Sequence, residues 1–210
     1  MTSDALIEGR MMLSTIAGLW FGRKVWLPKD PKPADSSWVD GTHRRNIDGI
    51  TDLYRGRLAS ERAGIEAVRR RAEFALTAVI AAAGLSASGF ERLMAASAFS
   101  SLPLLLWLGG LAVEIFAILV FAGVAVSSKS IGEVDVTAYS AMKHGTREEL
   151  RQYVWATQVT SRTRRAVVTV FRDAFLVALL GLMLFGGAHL AAWMTPVPAD
   201  PPVVVNVVTP

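Results

Sequence analysis

Three apolar stretches cut the chain, at Phe74–Phe90, Leu102–Val126 and Ala174–Met194, and the lysines and arginines fall almost wholly on alternate sides of them. Thirteen precede the first stretch and eight lie between the second and third. The connector between the first two holds only Arg92, and the tail beyond Met194 holds none. If all three stretches cross a bilayer, 21 of the 22 basic residues collect on one side. Basic residues close to span ends are retained in the cytoplasm, so a cytoplasmic N-terminus and an external C-terminus are expected. A first stretch that failed to cross would put Arg92 on the basic side and invert one end.

A content of 52% hydrophobic residues and a mean hydropathy of +0.37 exceed what an ordinary soluble domain carries. The 25 residues of Leu102–Val126 would make about 37 Å of helix, enough to cross a hydrocarbon layer of about 30 Å with some tilt. The fold class is therefore all-α: an integral membrane protein of three transmembrane helices with long cytosolic helical extensions. The absence of cysteine excludes thiol catalysis, disulfides and sulfur-ligated metals. No phosphate loop, serine elbow, paired His–Glu motif or intramembrane pair of aspartates is present, so neither catalysis nor a cofactor is expected. His43 and His144 lack a ligand partner at helical spacing and do not make a metal site. The net charge of +4 follows from topology and does not argue for a nucleic-acid partner. Seventeen arginines against five lysines suit a GC-rich bacterial genome, hence a bacterial cytoplasmic membrane.

Seven segments follow. Residues 1–43 hold an apolar run and a proline-rich linker. The run Met11–Gly22 has the length of a signal-peptide core, but Asp4 and Glu8 precede it and no small-residue cleavage site follows. Met11–Leu27 is instead expected to lie in the interface, with Trp20, Phe21 and Trp26 at headgroup level and Arg23 and Lys24 outward, or to form a short helix on the cytosolic part. Residues 44–73 form an amphipathic helix whose seam is Ile47, Ile50, Tyr54, Leu58, Ile65, Val68 and Ala72, interrupted by Glu61 and suited to pairing with another helix. Nothing stops this helix before the first span, 74–90. The second span is 102–126. In the cytosolic region 131–170, Thr146 and Glu149 form a capping box that starts a helix near Arg147, and this helix continues into the third span, 171–194. Residues 195–210 are an external Pro/Val tail.

Glu114 sits at the midpoint of the second span, where a charged carboxylate costs at least about 2.5 kcal/mol on insertion scales. Small neighbours Gly110 and Ala117 turn its face toward other helices. It is a candidate proton or cation site or pore-lining carboxylate; the plainer reading is a protonated acid bonded to a neighbouring Ser, Thr or carbonyl. His189 is the other titratable group at depth, offset from Glu114 by about 10 Å. Ala78, Ala82 and Ser86 form one small-residue packing stripe on the first span, and Ala75, Val79, Ala83 and Ala87 another. Arg69, Arg70 and Arg71, with Arg162, Arg164 and Arg165, are expected at the cytosolic headgroups, as topology determinants that could also contact anionic lipid or a phosphorylated ligand. Asp173 is expected to neutralise Arg172.

The order of parts over Tyr54–Phe90, Leu102–Ser127 and Arg147–Trp193 resembles small bacterial membrane proteins of the SLATT and Pycsar transmembrane-effector type. The resemblance is one of layout and covers about two thirds of the chain. This chain differs in having a third span and no recognisable cyclic-nucleotide-binding domain. The resemblance implies an oligomerising, membrane-perturbing effector of phage defence. The alternatives are an anchor or scaffold recruiting a membrane or cytosolic protein through the cytosolic helices, and an ion- or proton-conducting subunit using Glu114. Expected partners are thus the lipid bilayer and either further copies of the chain or such a protein.

Overall fold

A computed structural model describes residues 9–17, 36–98, 100–126 and 146–196, and all regular structure within them is helical. Residues 9–17 form α1. Helix α2 spans Ile47–Ser86, a 3-10 turn covers Ala87–Gly89, and α3 spans Phe90–Ser97. Helix α4 is Leu102–Val126 and α5 is Arg147–Met194. Three helical segments, Arg44–Ser97, Leu102–Val126 and Arg147–Met194, are long and apolar enough to cross a membrane. The linker 18–35, most of the 127–146 connector and the tail from Val197 lie outside the described residues.

Local chemistry sets the helix ends. Thr146 Oγ1 accepts the Glu149 backbone N–H at 3.3 Å, and two acids, Glu148 and Glu149, occupy the first turn of α5, where the helix dipole favours negative charge. Pro103 lies in the first turn of α4, where its missing N–H is no loss. Helix α2 gives way to the 3-10 turn Ala87–Gly89, and glycine at its end meets a steric requirement. The His189 ring occupies the position a side chain would take there, 2.6 Å from where a Cβ would stand.

Helices α2 and α5 run parallel in one register. Thr157 Oγ1 donates to the Tyr54 carbonyl at 3.5 Å, Arg164 pairs with Glu61 at 3.2 Å, and His189 Nε2 lies 3.1 Å from the Ser86 carbonyl. All three pairs are separated by 103 residues along the chain. From Tyr54 to Ser86 this register holds over about 48 Å. Helix α4 runs back antiparallel against α5, with the Phe121 and Phe171 rings in tilted contact at 5.7 Å and Phe185 against Gly110.

The seam read from the sequence is buried in the structure at Ile47, Leu58, Ile65, Val68 and Ala72, joined by Thr51. Its partner is α5 of the same chain: Leu150 and Val154 pack with Ile47, and Tyr153 and Ala156 with Leu58. This face is therefore occupied within one copy. The break at Glu61 is filled by its ion pair to Arg164, whose guanidinium lies over Gly64, 2.7 Å from where a Cβ would stand. At the arginine-rich end, Val39 completes a small core with Ile47, Leu150 and Val154, while Arg151 pairs with Asp40 and Arg147 reaches the Thr42 carbonyl. Arg55 bridges to Glu149 at 3.3 Å and to Tyr153 Oη. At the opposite end, Arg92 stacks 3.9 Å over the Trp193 ring, and Trp107 packs between Phe90 and Phe185. Asp173 pairs with Arg172 at 2.8 Å, as their adjacency implies.

One expectation is narrowed and another changes. Of the two readings of Met11–Leu27, the described part, within residues 9–17, has the form of a short packed helix: Met11 and Met12 join the main core, and Thr15 closes over Gly123 of α4. Trp20, Phe21, Arg23, Lys24 and Trp26 lie outside the described residues. On the first span the buried stripe is Ala75, Val79 and Ser86; Ala78 is exposed and Ala82 half-buried. The stripe continues the Val68–Ala72 face of the seam, because one unbroken helix keeps one face toward α4 and α5.

Candidate functional site: a buried carboxyl between α4 and α5

The Glu114 side chain is fully buried, at 0% exposure. It points at α5, where Gly181 makes room for it: a Cβ at Gly181 would stand 2.7 Å from Glu114 Oε1 and 2.8 Å from its Cδ. One turn along α4, Gly110 allows a matching approach, since a Cβ there would lie 3.2 Å from the Gly181 carbonyl and 2.9 Å from Phe185. Ala117, three residues on from Glu114, joins the core that also holds Ala174 and Ala178. Close helix approach through small residues is how helices associate in lipid, where no hydrophobic force drives them together.

Neither Glu114 oxygen has a hydrogen-bond partner among the described residues. The plainer reading, an acid tied to a neighbouring hydroxyl or carbonyl, thus finds no such bond. A buried polar group without a partner costs about 1–3 kcal/mol. The bundle therefore holds a destabilising group at an α4–α5 contact made by facing glycines. Gly110 performs the packing role read from the sequence. Gly181 was missed, because a glycine in an apolar stretch shows its purpose only when its opposite number is known.

His189 is not part of this site. Its ring lies against Gly89 and the Ser86 carbonyl, eight residues or about 12 Å along α5 from Gly181. There it ties α5 to the end of α2. The two arginine clusters divide. Arg69 pairs with Glu66 at 2.7 Å and Arg164 with Glu61, whereas Arg70, Arg71 and Arg165 are exposed and Arg162 half-buried. Among the described residues, no group of three or more His, Asp or Glu could hold a metal ion. No protein-family model, curated protein or solved structure matches this chain.

Proposed function

We propose that the chain is a non-catalytic integral protein of a bacterial cytoplasmic membrane, with its N-terminus inside and its C-terminus outside. It acts as an oligomerising effector that perturbs that membrane. The observation that carries this reading is the partnerless Glu114 held between α4 and α5 by Gly110 and Gly181. A single copy buries its carboxyl, so conduction needs α4 to part from α5 and several copies to present their Glu114 residues to a shared path. Parting the helices releases the cost of burial, which makes the closed bundle a resting form. The SLATT-like layout fits phage defence as its setting. A passive ion- or proton-conducting subunit would require the same assembly without a trigger.

Membrane potential read by dye tests this in bacteria expressing the wild type or Glu114→Gln at matched levels. Depolarisation by the wild type alone is expected. Equal depolarisation by both would remove Glu114 from the mechanism.

An anchor or scaffold is the second reading. It is favoured by the α2–α5 stalk, where Trp155 and Leu53 stand 52% and 72% exposed near the level of the Tyr54–Thr157 contact. Recovery of a bound protein through these two residues, with no depolarisation by either form, would select it. For orientation, a C-terminal reporter active only outside the cell is expected to give signal. Activity of a cytosol-restricted reporter at the same position would sink the three-span topology.

A further inference from the structure

Between helices α2 and α5, which supply its lining residues, lies an open groove of about 550 Å³. Ala75, Ala78 and Ala178 lie along it between the larger Phe74, Phe171 and Phe175, and its lining is otherwise apolar apart from Arg70 and Arg71 at one end. Phe74 is 79% exposed, so the groove opens sideways to whatever surrounds the bundle. We infer that this groove binds one anionic phospholipid, an acyl chain lying between α2 and α5 and the phosphate held by Arg70 and Arg71.

Three observations carry this. The first is charge placement. Among the described residues Arg70 and Arg71 take no ion pair, in contrast to Arg69, and they sit where the apolar lining begins. Glu73 is next to them in sequence but does not line the groove. The second is length. From Phe171 to Leu182 the groove follows α5 for about 16 Å, close to half of the roughly 30 Å hydrocarbon layer, so it is one leaflet deep. The third is level. Leu182 adjoins Gly181, which faces Glu114 at the middle of α4, so the groove closes near the midplane and its arginines lie at one surface. An occupant must therefore be amphiphilic, one leaflet long and anionic at the head. Two arginines at a membrane surface are together worth about a thirtyfold preference for an anionic head over a zwitterionic one.

The test is native mass spectrometry of the full chain released from detergent, titrated with phosphatidylglycerol or phosphatidylcholine of the same acyl chains. The wild type is expected to hold one phosphatidylglycerol about thirtyfold more tightly. Arg70→Gln with Arg71→Gln should lose that preference yet keep residual binding of both lipids. Ala78→Trp, which fills the groove from an exposed position, should lose both. Circular dichroism confirms that the variants remain helical. Four outcomes would overturn the inference: equal binding of the two lipids by the wild type, preference retained without the arginines, binding unaffected by Ala78→Trp, or displacement of the lipid by inorganic phosphate at matched ionic strength. A dimer that forms as lipid is removed and is abolished by Ala78→Trp would assign the groove to a second copy instead.

Discussion

Gly181→Leu is expected to destabilise the bundle by about 2–3 kcal/mol, the cost of overpacking a tight contact, measured by SDS-titrated unfolding in detergent micelles. Even the first atom added collides, because a Cβ at this position would stand 2.7–2.8 Å from three atoms of Glu114. The rest of a leucine would have to displace the carboxyl or move α4 away from α5. The companion variant Glu114→Ala empties the same volume; it removes as many heavy atoms beyond Cβ as the leucine brings past the glycine Cα. Gly181→Leu combined with Glu114→Ala should therefore recover most of the loss, giving a coupling energy of about 1–3 kcal/mol in a double-mutant cycle. Additive effects would show that the leucine clashes with something else and that Glu114 does not face Gly181. In the dye assay, Gly181→Leu alone is expected to depolarise at lower expression than the wild type, since it parts the two helices proposed to open.

Glu114→Met should have the opposite sign. Methionine fills a similar volume with an unbranched, adaptable chain and no group that needs a partner. Removing a fully buried carboxyl whose oxygens have no hydrogen-bond partner among the described residues is expected to stabilise the bundle by about 1–3 kcal/mol, in the same SDS titration. A buried polar group that is satisfied behaves otherwise, and its loss destabilises. A less stable Glu114→Met protein would thus mean that the carboxyl is bound in the membrane, by a trapped water or a neighbouring copy. Stabilisation together with lost depolarisation would tie the resting-state cost of Glu114 to function, as stability and activity trade off at sites held under strain.

Much of the architecture could be read before any coordinates. The limits of α4 at Leu102 and Val126 follow from an apolar run broken by a single charged residue, Glu114. The start of α5 at Arg147 follows from Thr146 and Glu149. Five of the seven seam positions on α2 are buried, because a periodicity of three and four places them on one face of a helix. Partners were harder to read. The seam was legible as a face suited to pairing with another helix, but not which helix, and the structure pairs it with α5. Hydrophobic burial is non-directional, so an amphipathic pattern identifies a sticky face without naming what covers it.

Composition and spacing by themselves determined that this chain makes long helices, that three segments are apolar enough to cross a membrane, and that one carboxyl sits mid-span. These are properties of single segments, set by side-chain transfer energies and helical periodicity. Only the tertiary structure decided that Glu61, Gly64 and Arg164 form one interhelical contact, that Gly181 is the seat of Glu114, that His189 belongs to the end of α2, and that Arg70 and Arg71 stand at the mouth of a groove. Each of these depends on which residue lies opposite which across two helices. That register is fixed by close packing of whole surfaces, summed over many small contacts, and no local stretch of sequence carries it.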